Sequence, residues 1–589
     1  MSNEEIVEVL ELTVKLMELH NADAFKTRAF GSAAFNLDRF KDAELASLSA
    51  DELTKIQGVS KNMAGKLVQL IDTGHLAELD ELLAQTPAGV LEMFKIKGIG
   101  PKKIGTIWRD LGIETLEALQ AACESGQIAK LKGFGEGTQQ KILDSMAFLR
   151  SQVGKLRMDK GEALATIILE ELQPYFTQIA ITGEVARKCE IVETIQLIIG
   201  TESTVAAARS IAKVGWLVQN LKESSPFIWR GKIQDRSQAT DLPPQGEEIE
   251  VKKTLEVNVE ILFVQPERFE NERFISDSAN AHLFAKTPSG HTLLSLANTA
   301  QSFVSAEEIY QQAGLSYIVP EMREGLGEFD WKATHTNDDL IEWKNLRGIL
   351  HNHSTYSDGK HSLEQMARFC QELGFEYLGI ADHSQTASYA QGLNEERVEQ
   401  QHAEIDRLNQ VFAQEFSTPF KILKGIESDI LGDGSLDYPE SILKSFDFIV
   451  ASVHSNLNMS IEKATTRLLR AIENPYTTIL GHPTGRLLLA RSGYPIDHKT
   501  IIDACAQNGV VIEINASPWR LDLDWRWIRY CMEKGVMLSI NPDAHEKNGY
   551  YDMHYGVAVG RKGGLTKDMT FNALPLAELE HYLAKRKSH

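Results

Sequence analysis

From residue 1 to about 150, apolar positions recur three and four residues apart with charged residues between them, which predicts helix after helix. The opening stretch, MSNEEIVEVLELTVKLMELH, is acidic and amphipathic, and reads as a helix with one core-facing side. The period changes between about 155 and 325. There the apolar strand-like runs QIAITGEV, IVETIQLIIGT and TLEVNVEILFV alternate with helical stretches, and SSPFIWRGKIQDRSQATDLPPQGEEIEV reads as a strand and a polar loop. DWKATHTNDDLIEW, near 330–343, reads as a linker. From Leu346 to about Ile540, seven short aliphatic strands alternate with helix-period stretches. That alternation predicts a seven-stranded relative of the β/α barrel, with its chemistry at the C-terminal strand ends. The chain therefore reads as a multidomain α/β protein: an all-α domain over 1–150, an α+β module over 151–328, a linker over 329–345 and a barrel over 346–589.

Polar side chains close the apolar runs of the last part. They are His351 and His353 in LRGILHNHS, Asp358 in YSDG, His383 in YLGIADHS and Glu427 in ILKGIESDI. His454 in FIVASVH, His482 in TTILGHP, and Asp543 and His545 in LSINPDAH complete a set of nine spread over seven runs. Imidazole and carboxylate without thiolate suit zinc, manganese or iron rather than a thiolate-bound structural zinc. Any one of these histidines could be a satisfied core residue, but nine at successive strand ends predict a metal site.

Within the first domain one pattern recurs: IQGVSKNMAGKL at 56–67, IKGIGPKKIGTIW at 96–108 and LKGFGEGTQQKIL at 131–143. Each has an apolar residue, a short glycine-containing turn and a helix start, the helix-hairpin-helix signature. Gly58 with Ser60, Gly98 with Gly100, and Gly133 with Gly135 would let the backbone approach a DNA phosphate in front of a helix N-terminus, independently of base sequence. The third copy is the weakest, because Glu136 stands where the phosphate would approach.

The net charge of −21 excludes a broad basic footprint, so DNA binding must come from these local devices. Residues 1–150 hold about 17 Lys/Arg against about 22 Asp/Glu, which predicts weak, salt-sensitive binding. The five cysteines are scattered with no CxxC, as in reduced thiols of a cytoplasmic protein; the N-terminus lacks a signal-peptide pattern, and no apolar run reaches membrane-spanning length.

The order of helix-hairpin-helix domain, αβ module and HxH…SDG…ADH…GIE…VH…GHP…DAH barrel resembles bacterial family X DNA polymerases with a C-terminal polymerase-and-histidinol-phosphatase (PHP) domain. RLLRAIENPY, ILGHPTGRLL, INASPWRLDL and YIVPEMREG extend the resemblance beyond the ligands. It implies a nucleotidyltransferase-like palm in the centre and three divalent ions in the barrel, zinc or manganese or iron. His351, His353, Glu427 and Asp543 would hold the first ion, Glu427, His454 and His482 the second, and Asp358, His383 and His545 the third. A metal-activated water would then be the nucleophile. Asp382 is a candidate partner behind the ligands, and Arg486 and Arg520 are candidates to clamp substrate phosphate.

The resemblance breaks in the central module. The family's Gly-Ser element reads Gly183-Glu184, its Asp-x-Asp pair falls on Thr194 and Gln196, and its third Asp falls on Glu260. These residues cannot supply the charge for two divalent ions, and Glu193 would serve only after a one-residue slip that turns it to the other face. LFAKTPSGHTLLSLA, near 283–297, lacks the family's nucleotide element. Lys66 occupies the place where related repair polymerases carry a Schiff-base lysine, although a phosphate-facing or solvated lysine is the simpler reading. The expected function is a DNA-binding, metal-dependent phosphoesterase of the 3′→5′ exonuclease or 3′-end-processing kind, in DNA repair, with polymerase activity lost. Three alternatives stand beside it: a working family X polymerase, a histidinol-phosphatase-like phosphatase and a non-catalytic DNA-binding scaffold.

Overall fold

The computed structural model describes residues 1, 3–38, 40, 44–96, 98–233, 257–299 and 301–587. The polar loop expected after the strand at 228–233 lies outside the described residues. Two compact units are present: residues 1–153 form one, and the central module and barrel together form the other.

The first unit is all helix. Its core is built from the apolar faces of Asn3–Leu19, Ala24–Asp38, Lys61–Thr73, Pro101–Leu111, Leu116–Glu124 and Glu136–Gln152, with Leu10, Leu16, Phe30, Leu67, Ile104 and Ile142 all but inaccessible.

The central module is a five-stranded sheet in the order 179–182, 194–200, 257–264, 228–233, 217–219. Strands Thr194–Gly200 and Val257–Val264 run parallel and the other pairs antiparallel. Ile195, Leu197 and Ile199 point into the core, which leaves Thr194 and Gln196 on the opposite face in alternation. A helical region follows, built around Phe274, Tyr310 and Trp331.

The barrel strands are β1 Gly348–Ile349, β2 Tyr377–Ile380, β3 Lys421–Asp429, β4 Phe448–Ser452, β5 Ile479–Leu480, β6 Val511–Asn515 and β7 Leu538–Asn541. All pair in parallel in chain order. Covered by helices outside and side chains inside, they are continuous apolar runs rather than alternating ones. The seam between β1 and β7 is joined by backbone bonds from His353 to Ala544 (2.8 Å) and from Asp543 to His351 (3.1 Å). Lower down, the Asn572 side chain takes the place of a strand. It accepts from Ile540 N at 3.0 Å and donates to the carbonyls of Gly348 (3.0 Å) and Ile540 (2.7 Å).

The segment expected as a linker is folded. Leu340 and Ile341 are buried, Ile341 N bonds Leu565 O at 3.0 Å, and the Trp331 indole donates to Gly564 O at 2.8 Å. Further ties join the central module to the barrel. The Arg157 guanidinium stacks 3.4 Å above the Trp519 ring, and Glu190 accepts from Trp525 (3.2 Å) and Arg526 (2.9 Å). No helix among the described residues is long and apolar enough to cross a membrane.

Candidate metal centre and hairpin turns

Buried strands leave a polar side chain one outlet, the open C-terminal end of the barrel. His351 and His353 follow β1 two residues apart and so face the same way. His383 follows β2, His454 β4 and His482 β5, while Asp543 and His545 follow β7 and Glu427 lies within β3. The nine side chains thus come from six strands, not seven: YSDG is a turn after β1, and Asp358 reaches the cluster from it.

Glu427 lies at the centre, fully buried. Its Oε1 is 3.1 Å from Nε2 of both His454 and His482 and 3.3 Å from His351 Nε2, and its Oε2 is 2.9 Å from His383 Nδ1. Asp543 Oδ1 is 3.0 Å from His353 Nε2, and Asp358 is 3.7 Å from His383 and 3.4 Å from His545. Asp543 adopts φ +54°, a left-handed conformation that aspartate tolerates better than most residues.

Three groups have ligand atoms close enough to share an ion: His353, Asp358, His383 and His545; His351, His353 and Asp543; and His383, Glu427 and His454. The division differs from the expected one. His353 and His383 each belong to two groups, and His482 falls outside all three while still touching Glu427. The donor set fits a cation in a second way. His351 Nε2, His353 Nδ1, His383 Nδ1, Glu427 Oε2 and His482 Nδ1 are buried and make no hydrogen bond, although His351 and His383 lie against Glu427, and coordination would satisfy all five.

The charges point the same way. Burial would lower His351 and His454, yet carboxylates outweigh it: Glu513, Asp543 and Glu427 hold His351 well above the usual imidazole range, and Glu427 and Asp429 push His454 up to about 10. His353 is lowered to about 3 by burial and by the neighbouring His545 and His383. The negative charge that raises His351 and His454 is the charge a divalent cation would neutralise.

Sequence reasoning missed the groups behind the ligands. Glu513, inside β6, accepts from His351 Nδ1 at 2.7 Å and from the His482 backbone at 2.8 Å. Asp429 faces His454 Nδ1 at 2.5 Å. The signal was available: Glu513 is a lone acid in the apolar run VVIEIN, and Asp429 is two residues beyond Glu427 on the same strand face. Asp382 does something else. It accepts from Ser354 N (2.8 Å), Ser354 Oγ (2.7 Å), Ser357 Oγ (2.5 Å) and Gln401 Nε2 (2.7 Å), and so fixes the turn that carries Asp358.

The two candidate clamps part company. Arg486 donates to Asp524 (2.8 Å), Arg520 O (2.9 Å) and Leu521 O, so its fork is spent on a loop and does not fit the phosphate role. Arg520 stands at the cluster, its Nε 3.4 Å from Asp543.

In the central module, Glu260 lies opposite Gln196 in the parallel pair. It accepts from Gln196 Nε2 at 3.1 Å and from Arg230 Nε at 2.7 Å. Glu184 accepts from the backbone of Glu193 (2.7 Å) and Thr194 (3.2 Å), and Glu193 pairs with Lys155 at 2.7 Å on the exposed surface. No group of three metal-ligating side chains occurs here among the described residues.

The hairpin glycines Gly58, Gly98, Gly133 and Gly135 all have positive φ, between +81° and +100°. Around Gly100, Gly133 and Gly135 a β-carbon would meet nothing, whereas Gly58 is closed in by Ser32 and Asn36. Ser60 caps its own helix, accepting from Met63 N at 3.2 Å. Lys66 is ion-paired with Glu78, which also draws Lys26 to 3.4 Å.

Comparison with known proteins agrees with this layout. The pattern for a helix-hairpin-helix domain matches residues 1–76, that for a SAM-like helix-hairpin-helix tandem matches 90–146, and that for a PHP domain matches 350–517. The DNA polymerase/3′-5′ exonuclease PolX of Bacillus subtilis (strain 168) is 31% identical over 99% of this chain and 100% of its own length. A probable phosphatase of Thermoanaerobacter sp. (strain X514) is 31% identical over 28% of this chain and 69% of its own length. Another, from Caldanaerobacter subterraneus, is 40% identical over 21% of this chain and 51% of its own length.

Proposed function

This chain belongs to the bacterial PolX family, the family X polymerases that carry a PHP domain, and on that premise we propose that it is a 3′→5′ exonuclease or 3′-end processor without polymerase activity. The phosphoesterase chemistry is that of the barrel. The observation that carries the reading is the gathering of nine imidazole and carboxylate side chains in one cluster, with Glu427 at its centre against four of the histidines and five buried ligand atoms making no hydrogen bond.

When bound, divalent ions at such a cluster acidify water and polarise a phosphoester. The chain's own residues do the rest. Glu513 fixes the tautomer and tilt of His351, and Asp429 does so for His454. Asp382 holds Asp358 in reach through the serine turn. Arg520 offers a guanidinium fork for a phosphate beside Asp543. DNA is favoured over a small phosphoester because three glycine turns, two with open glycines at the helix start, precede the barrel in the same chain.

Loss of polymerase activity rests on Glu260. Its carboxylate is neutralised by Arg230 and hydrogen-bonded by Gln196, and neither Thr194 nor Gln196 can take a metal's charge. The test is a labelled primer–template with manganese, with and without four nucleotides: the primer shortens and is not extended. Extension without shortening would reverse the assignment.

A further inference from the structure

Tyr389 exposes 65% of its surface, yet it stands at the metal cluster, its ring centroid 6.1 Å from that of His383 at 59°. Of the exposed aromatic side chains in the described residues, it alone makes a ring contact with one of the nine cluster residues. The loop that carries it is anchored on both sides. Ala387 N bonds Ser384 O at 3.0 Å, and Leu393 N bonds His383 O at 2.8 Å. Thr386 Oγ1 is 2.9 Å from both Asp429 and Asp437. Gly392 lies so close that a β-carbon would come 1.8 Å from Ser384 O. The ring therefore stands on a turn, Ser388–Ala390, whose flanking backbone is anchored on both sides. Among the described residues its hydroxyl has no hydrogen-bond partner.

An aromatic face kept in water beside a phosphoesterase centre is costly unless something covers it. Arg520, at the same cluster, offers a fork for phosphate. A flat apolar ring and a phosphate fork at one centre match one nucleotide, base and phosphate together. We propose that Tyr389 stacks on the terminal base of the DNA 3′ end and is a specificity-determining residue of the barrel. The proposal rests on the exonuclease reading and adds how a nucleoside end is told from a baseless one. Base–aromatic stacking tolerates every base, so no sequence preference follows.

Two measurements test it. The first uses the metal-loaded full chain and two oligonucleotides, one ending in a nucleoside and one in a baseless tetrahydrofuran. Tyr389→Ala should lower kcat/KM for the nucleoside end by about tenfold, mainly through KM, and leave the baseless end unchanged. Tyr389→Phe should restore the difference. Equal loss on both substrates, or none on either, overturns the proposal. The second needs no cleavage. A 2-aminopurine at the 3′ terminus, behind a phosphorothioate linkage, should be quenched by the unaltered chain and by Tyr389→Phe but not by Tyr389→Ala. Quenching that survives in Tyr389→Ala overturns the stacking. Quenching by the unaltered chain, lost in Tyr389→Ala, with no nucleotide released from ordinary DNA supports the stacking and overturns the exonuclease reading instead.

Discussion

The Arg230 guanidinium lies 2.7 Å from Glu260, its partner across the antiparallel strand pair. The pair is part-exposed, so its own contribution to stability is small. Arg230→Met should cost less than about 1 kcal/mol in denaturant unfolding and leave primer shortening unchanged. A large loss of exonuclease activity in Arg230→Met would mean that the central sheet takes part in cleavage.

Glu513 makes a prediction independent of DNA. It orients His351 and binds the His482 backbone. Glu513→Gln should lower metal affinity by about 10- to 100-fold, read as metal retained after dialysis against a weak chelator. Full metal content in the variant would remove Glu513 from the supporting shell.

The seven-stranded barrel and its nine cluster residues were legible because buried parallel strands are unbroken aliphatic runs, and a polar residue closing such a run has one place to point. Three things were not. Asp358 sits on a turn that mimics a strand end in sequence. Glu513 looks like a strand interruption until His351 is placed 2.7 Å away. Arg486 and Arg520 follow equivalent strand ends, and only the path of the 520–524 loop separates the one spent on backbone carbonyls from the one beside Asp543. In the central module, alternation correctly placed Thr194 and Gln196 on one face, but the Arg230 partner of Glu260 comes from a strand whose pairing the sequence leaves open.

Asp552 gives a pH signature. Burial, then repulsion from Asp159 and Glu546, raises its carboxyl from 3.8 to about 7. A folded-state value above the unfolded one means the native state keeps a proton that the unfolded chain has lost between about pH 4 and pH 7. The stability contributed by this group is therefore full below pH 4 and falls as pH rises to 7. Asp552→Asn mimics the protonated acid. Its Tm should match the parent below about pH 3.8 and exceed it at pH 8, by an amount on the order of 1–2 kcal/mol in stability. A pH-independent difference would contradict this.

Gly100 offers the cleanest change in the hairpins, because its φ is −92° and a β-carbon there meets nothing. Gly100→Glu should leave Tm unaltered, weaken binding to duplex and single-stranded DNA alike by about tenfold, and flatten the salt dependence. Unchanged affinity would show that the second hairpin does not face phosphate. Gly98→Glu is a poorer probe, since φ +92° strains any side chain.

The most direct test of the whole reading is one gel. Purified protein, manganese and a 5′-labelled primer–template are incubated with all four nucleotides, beside His353→Ala and Thr194→Ala. The account predicts that the parent and Thr194→Ala shorten the primer, that His353→Ala leaves it at full length, and that no lane shows extension. Templated extension that persists in His353→Ala would contradict it, and would place working metal ions at Glu260 or Glu193.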